Sequence, residues 1–247
     1  MRVLVLLFAL AMPVVSWWSQ SGAFGPDNGT VSDRYPTLLV AAGYAFSIWG
    51  LIFLLDVVYA AWQATGRRRD DALLGRIAPA AAAGFALTAV WMPLFSQGLF
   101  WLCLLVIFGA LGCLAWAALQ LSRARAEDGR TWAWLPLSLH AGWLSLAAFL
   151  NLAQSALAFG WTRQDAQLVP SLLLFAAAAA LLLELNRRMR GNFAYAAAAL
   201  WGLVAVVVEQ SRSALPGAGV ATWVAAAIAA LLAAQTLWLR ARRTRRA

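Results

Sequence analysis

Residues 98–121 read GLFWLCLLVIFGALGCLAWAALQL, a stretch of 24 residues without a charge. A bilayer core of about 30 Å is crossed by roughly 20 apolar residues in a helix, so this stretch predicts one transmembrane helix. Seven further apolar runs occur, at 2–18, 37–62, 77–95, 134–160, 168–186, 193–209 and 220–239. Hydrophobic residues make up 63% of the chain, which is a larger share than in an ordinary soluble domain. The sequence therefore predicts an all-α, polytopic membrane helix bundle with eight transmembrane helices.

The basic residues orient these helices. Sixteen of the nineteen arginines lie in every second gap between the apolar runs, counting both chain ends as gaps. They are Arg2, Arg67, Arg68, Arg69, Arg76, Arg123, Arg125, Arg130, Arg187, Arg188, Arg190, Arg240, Arg242, Arg243, Arg245 and Arg246. Because basic residues near span ends stay cytoplasmic, both termini are predicted to be cytoplasmic. The net charge of +9 is therefore topogenic, and no nucleic-acid partner is expected.

The lipid bilayer is the first predicted partner, and a bacterial plasma (inner) membrane is the predicted location. All basic residues are Arg and Ala is abundant, which suggests a GC-rich genome. Arg2 with residues 3–12 also resembles a signal peptide, with a small-residue cleavage site at 21–23. The apolar run continues to Trp17 and Trp18, which favours a first span that is retained.

Tryptophan usage divides the chain. Eleven of the fourteen tryptophans lie within residues 1–161, and the remainder of the chain is rich in Ala and Leu. This predicts a five-helix transmembrane unit over 1–161. A three-helix transmembrane appendix with a basic cytoplasmic tail is predicted over 162–247. The outer gap at 19–36 is turn-rich, and either a functional loop or a mobile tether fits that composition.

Three tryptophans, Trp49, Trp91 and Trp143, fall inside predicted spans. There an indole N–H needs a neighbouring helix, a cavity or a ligand, because lipid offers no hydrogen-bond acceptor. Helix packing is the simplest interpretation of these residues. A ligand pocket is the alternative.

Three motifs resemble the tryptophan-rich sensory protein family, the TspO or translocator (peripheral benzodiazepine receptor) proteins. Residues 143–151, WLSLAAFLN, resemble the family's last-span signature of Trp, Ser, Ala and Leu-Asn. Phe46, Trp49 and Phe53 resemble its second-span aromatic cluster, and residues 91–95, WMPLF, resemble its third-span motif. The resemblance covers about residues 1–161. Thr88 stands where the family has Asn, and Phe53 stands where it has Tyr.

This resemblance implies a pocket for porphyrins and other tetrapyrroles, sterols or benzodiazepine-like compounds. No obligatory cofactor is implied; a porphyrin or haem-type molecule would be a ligand. At 1.5 Å per residue the motif residues reach overlapping depths under the outer gap, so one flat hydrophobic ligand could meet them all. The expected ligand-binding residues are Tyr35, Phe46, Trp49, Phe53, Thr88, Trp91, Trp143, Ala147, Leu150 and Asn151. A homodimer is a further expectation.

Two ionisable residues lie inside spans at similar depth, Asp56 in span two and His140 in span five. An intramembrane carboxylate is costly unless it is paired, so a contact between these side chains is attractive. Alternatively, each reaches interfacial water or a backbone carbonyl separately. A lone histidine cannot build a transition-metal site, and no metal ligands are assigned.

Three functions fit this sequence. The favoured one is a ligand-binding or sensory membrane protein for a tetrapyrrole or another flat hydrophobic ligand. The second is a proton-coupled secondary transporter of a small hydrophobic molecule, with Asp56 and His140 as the coupling pair, although no repeated broken-helix pattern is visible. The third is an intramembrane tetrapyrrole-degrading enzyme. It is the least favoured, because the sequence shows no nucleophile–base arrangement and no catalytic residues are assigned.

Overall fold

The computed structural model describes residues 1–124 and 130–244, and the described residues are helices, turns and loops. Arg125, Arg245 and Arg246 of the basic gaps lie outside them. The helices are α1 (Arg2–Gln20), α2 (Asn28–Asp33), α3 (Ile48–Gln63), α4 (Ala72–Ser96), α5 (Phe100–Arg123), α6 (Thr131–Ala158), α7 (Leu168–Arg188), α8 (Phe193–Gln210) and α9 (Ala218–Thr244). Short 3₁₀ segments cover Gly43–Ser47 and Gly66–Asp70. Within these described residues, eight helical segments are long and apolar enough to cross a membrane, which confirms the predicted fold class.

The second span differs from its prediction at one end. The apolar run begins at residue 37, but helical structure begins only at Gly43. Residues 37–42 form other hydrogen bonds: the N–H of Val40 donates to Thr37, and the N–H of Ala42 donates to Ala205 on α8. An apolar run indicates that residues are buried, and residues 37–42 show that such residues need not form a helix.

Two compact units divide the chain. Unit 1 comprises Met1–Asn28 and Ser47–Ala141, and unit 2 comprises Gly29–Phe46 and Gly142–Ala247. Helix α6 therefore contributes residues 131–141 to unit 1 and residues 142–158 to unit 2. These units group the residues differently from the segments 1–161 and 162–247, and that sequence-based division stays a prediction.

Unit 1 is built around α4, which packs against α5 and α1, while α1 also packs against α3. Small residues allow close packing of the helices. A Cβ atom at Gly84 on α4 would lie 2.6 Å from Leu114 Cγ on α5, so a larger residue there would force the Leu114 side chain to shift. Outward-facing Leu54 and Leu105 are exposed, and they supply apolar surface of the kind that a bilayer covers.

Unit 2 packs α9 against α7 and α8, and α8 also packs closely on the second part of α6. A Cβ atom at Gly142 would collide with the backbone carbonyl of Tyr195, and one at Gly202 would lie 2.6 Å from Leu146. The two helices can approach at these points because both positions lack a side chain. Asn192 starts α8 by accepting hydrogen bonds from the N–H groups of residues 194 and 195.

At one end of unit 1 the predicted basic gaps meet. The Arg2 guanidinium donates to Gln63 Oε1 over 2.9 Å and to the backbone carbonyl of Asp71 over 3.1 Å. Asp71 in turn accepts from Arg130 Nε over 2.9 Å. A cavity of about 490 Å³ lies here, lined by Asp71, Ala72, Leu73, Arg76, Ala124 and Arg130. These contacts bring the N-terminus, the α3–α4 connection and the start of α6 to one face.

Unit 2 also gathers its basic gaps at one end. Asn186 near the end of α7 donates to Gln235 and Thr236 on α9, over 2.7 and 3.0 Å. The Arg240 guanidinium lies 5.1 Å from the centre of the Phe193 ring. Within each unit, the helix ends that lie together are therefore the ones next to the arginine-bearing gaps.

The gap at residues 19–36 is held by hydrogen bonds in both units. In unit 1, Ser19 at the end of α1 lies 2.9 Å from Ser96 at the end of α4, and Ser96 donates to Asn28. In unit 2, Gln154 donates to the hydroxyl of Ser32 over 2.6 Å. These contacts describe an ordered loop and not a mobile tether.

Candidate functional site

The structure brings Asp56 and His140 together inside unit 1. Asp56 on α3 and His140 on α6 are both fully buried, and His140 Nδ1 lies 2.8 Å from Asp56 Oδ2. A buried carboxylate is costly without a partner, and this contact supplies one. The similar depth of the two residues in their predicted spans allows this contact. The alternative, in which each side chain is solvated separately, does not describe this geometry.

Thr88 on α4 closes the other side of the imidazole. Its hydroxyl lies 3.3 Å from His140 Nε2 and donates to the backbone carbonyl of Gly84 over 2.9 Å. A hydroxyl has one proton to donate, so donation to Gly84 makes Thr88 an acceptor for a His140 Nε2–H. Rotation of the hydroxyl towards His140 would instead serve the neutral tautomer that carries its proton on Nδ1. The residue expected to contact a ligand is therefore a partner of His140.

Aromatic rings surround this polar pair. Trp49 on α3 meets His140 edge to face, with ring centres 5.6 Å apart, and stacks on Phe53 with ring centres 5.2 Å apart. On α4, the Phe85 ring lies nearly parallel to the imidazole, with ring centres 6.1 Å apart. Trp49 is only half-buried, so one surface of this aromatic wall stays accessible from outside the chain. The arrangement combines a flat apolar wall with a polar group behind it.

Trp91 belongs to a second aromatic stack in unit 1. The centres of the Trp91 and Phe95 rings are 4.7 Å apart, with an interplanar angle of 20°. Phe95 in turn meets Phe100 of α5 edge to face. Trp91 is buried, and the stack joins the C-terminal end of α4 to the N-terminal end of α5. For this tryptophan, the contacts fit the interpretation as helix packing.

The remaining expected ligand residues lie in unit 2. Trp143 is buried, and a Cβ atom at Gly202 would lie 3.2 Å from its ring. Asn151 is also buried, and its backbone carbonyl accepts from the Ser155 hydroxyl over 2.7 Å. The others in this unit are partly exposed: Tyr35, Phe46, Ala147 and Leu150. The expected set thus falls into a unit 1 group (Trp49, Phe53, Thr88, Trp91) and a unit 2 group, and a pocket common to both stays a prediction.

Several buried polar residues escaped the sequence analysis. Tyr59 and Gln63 on α3 are fully buried, and Tyr59 packs edge to face on Phe85 at 6.3 Å. In unit 2, Gln210 at the end of α8 donates to the carbonyls of Thr37 and Val40. The signal for the first two was present in the sequence, since residues 56, 59 and 63 share one face of a helix.

Across residues 1–124 and 130–244, no group of three or more His, Cys, Asp or Glu side chains is placed to hold a metal ion. Both ring nitrogens of His140 face protein oxygens, as given above.

The fold and site define a polytopic helical membrane protein with a buried acid–histidine pair against an aromatic wall. The chain belongs to the TSPO-like protein family, whose model matches residues 2–238. The family resemblance is confirmed, and the match continues beyond residue 161 through α7 and α8 into α9. Membership of this family indicates, in general terms, a membrane protein of the ligand-binding or sensory type. No curated protein matches the chain, and no solved structure does.

Proposed function

We propose that this protein binds a tetrapyrrole or another flat hydrophobic ligand within the membrane, as a ligand-binding or sensory protein. The observation that carries the proposal is the stack of the half-buried Trp49 on the buried Phe53, next to the buried His140–Asp56 pair, in a chain of the TSPO-like family. A planar macrocycle suits stacking on an indole face, and a few polar groups beside that face orient it.

Stacking is favoured over metal ligation for a haem-type ligand. His140 Nδ1 is engaged by Asp56, and Nε2 faces Thr88. An iron–imidazole bond would have to replace one of these contacts in a fully buried pocket. A metal-free porphyrin is therefore the better first probe.

The test is a protoporphyrin titration of the purified protein in detergent, followed by tryptophan quenching. We expect an affinity of micromolar order, roughly −8 kcal/mol. Replacing Trp49 by Ala should weaken binding by about 1–3 kcal/mol, because one stacking wall is lost. The matched control is Trp223→Ala, since Trp223 is 78% exposed on α9.

The same titration separates the two residue groups. A folded Trp49→Ala variant with unchanged affinity would remove the unit 1 wall from the site. If Trp143→Ala and Asn151→Ala then weaken binding, the ligand belongs to the unit 2 group. Absence of porphyrin binding by the wild-type protein would reject the tetrapyrrole.

A second candidate function is proton-coupled transport of a small hydrophobic molecule. The buried Asp56–His140 contact favours it, because an intramembrane ionisable pair can carry a proton. Uptake into proteoliposomes driven by a pH gradient should then vanish in Asp56→Asn. Normal gradient-driven uptake by that variant would eliminate the coupling role.

We also propose a bacterial plasma-membrane location with both chain ends in the cytoplasm. The support is the gathering of basic gaps at one end within each unit, together with the preference of Arg for the cytoplasmic side. Reporter fusions after Arg190 and after Ala247 should both indicate a cytoplasmic location. A periplasmic signal at either site would reverse the orientation.

A further inference from the structure

A polar stripe runs along one face of α3 in unit 1. Asp56, Tyr59 and Gln63 are spaced three and four residues apart, and each is fully buried. Residues at this spacing are neighbours on a helix surface, and the stripe extends about 10 Å along the axis. An ionisable side chain such as Asp56, buried inside a transmembrane helix, indicates a functional site.

The middle of the stripe contains two polar atoms whose hydrogen bonding is incomplete. Asp56 Oδ1 and the Tyr59 hydroxyl are buried and have no hydrogen-bond partner among the described residues. Leaving a buried polar group unpaired costs about 1–3 kcal/mol. An internal water molecule typically satisfies such groups when they neighbour each other.

The stripe ends at the basic face of unit 1. Gln63 accepts from the Arg2 guanidinium over 2.9 Å and donates back to the Arg2 carbonyl over 3.0 Å. The guanidinium also donates to the carbonyls of Arg68 and Asp71. Arg2 is only partly buried, so it stands between the stripe and the surrounding water. Both Arg2 and Asp56 act electrostatically on the Tyr59 hydroxyl.

We propose that this stripe is a proton path from the basic face of unit 1 to the Asp56–His140 pair, with Arg2 and Gln63 as its gate. Water between Asp56 Oδ1 and the Tyr59 hydroxyl completes the connection. A hydronium ion at the basic face gives up one proton and becomes water. The Tyr59 hydroxyl and the water each accept one proton and release another, whereas the Arg2 guanidinium and the Gln63 amide do not carry the proton. An O–H bond then forms at Asp56 Oδ1, so that the carboxylate becomes a carboxylic acid.

His140 acts here as a positioning residue. Its Nδ1–H holds Asp56 Oδ2, which leaves Oδ1 turned towards Tyr59. The groups placed around the pair are Tyr59 and Trp49 on α3 and Phe85 and Thr88 on α4. Arg2 on α1 is the cation that acts on the stripe from its end.

The proposal goes beyond ligand binding, because proton exchange is measured without any ligand. The chain contains one histidine, so ring ¹⁵N labelling of histidine reports His140 alone. The measurement is the exchange rate of the His140 ring N–H with water, by NMR of the full chain in detergent or nanodiscs. Failure here would leave the porphyrin titration untouched.

Opposite changes in the exchange rate are expected from a variant in the middle of the stripe and from a variant at its gate. Tyr59→Phe removes the connecting hydroxyl and should slow exchange by tenfold or more. Arg2→Ala opens the gate and should accelerate it. The matched control is Tyr195→Phe, which makes the same chemical change at a fully buried tyrosine of unit 2 and should leave the rate unchanged.

An unchanged exchange rate in a folded Tyr59→Phe variant would overturn the path. If Tyr59→Phe fails to fold, Arg2→Ala and Gln63→Leu decide: unchanged rates in both also overturn it.

Discussion

Breaking the Asp56–His140 contact should destabilise unit 1 unequally, depending on which partner is removed. In His140→Phe, the Asp56 carboxylate loses its one hydrogen bond at Oδ2, while Oδ1 has none among the described residues. A buried carboxylate left without partners costs about 3–5 kcal/mol. In Asp56→Leu, a neutral His140 keeps its contact with Thr88 and loses one hydrogen bond, which costs about 1–3 kcal/mol.

The double variant Asp56→Leu/His140→Phe should recover most of this loss. Both polar groups are then gone, and Thr88 keeps its hydrogen bond to the Gly84 carbonyl, so no new unpaired group is created. We expect a double variant within about 1–2 kcal/mol of the wild type and a coupling energy of at least about 2 kcal/mol.

The measurement is the free energy of unfolding in mixed micelles, titrated with a denaturing detergent for all four proteins. Thr88→Val is the control for loss of a polar group at the same site, with an expected cost near 1 kcal/mol. Two results would refute the reasoning. One is additive single variants, with coupling below about 0.5 kcal/mol. The other is an Asp56→Leu variant less stable than His140→Phe.

Two further predictions concern helix packing and acid stability. Replacing Gly142 by Ala should destabilise the protein by about 1–3 kcal/mol, because the new Cβ atom collides with the Tyr195 carbonyl; Gly112→Ala, with open space around it, is the control and should be neutral or slightly stabilising in the same unfolding titration. At Asp71, partial burial would raise the pKa, but N–H groups of α4 and the Arg130 guanidinium outweigh it and hold the pKa below 3.8. The stability that this carboxylate contributes is therefore present above pH 3.8 and lost as the pH falls through the lower folded-state pKa. Unfolding measured between pH 5 and pH 2.5 should show this loss in the wild type and less of it in Asp71→Asn, and identical pH profiles would contradict the assignment.

The fold was predictable because two signals were repeated along the whole chain. Apolar runs recur eight times, and arginines alternate between gaps, so an error in one run would have broken the alternation. The Asp56–His140 contact could be anticipated from the sequence for a simpler reason. Two ionisable residues at one depth in a membrane have few other partners.

What escaped prediction depends on which helix faces meet. Thr88 was assigned to a ligand, and its contact with His140 follows from the rotation of α4, which the residue pattern of a nearly uniformly apolar helix does not reveal. Tyr59 and Gln63 lie near a span end, where polar residues usually face interfacial water. The division of the expected ligand residues between two units likewise follows from tertiary packing, because motif spacing records only depth along each helix.

Segment 29–46 depends on hydrogen-bond partners that are synthesised much later. It is made before most of the chain, yet its partners come late: Gln167 lies 129 residues after Leu38, and Gln210 lies 173 residues after Thr37. At roughly 5–20 residues per second, a ribosome needs about 9–35 s to supply the last of these partners. During that interval the carbonyls of Thr37 and Val40 are without the Gln210 amide. Nascent chains stalled before α8 should therefore be cut by protease within 37–42, whereas finished chains should be protected there.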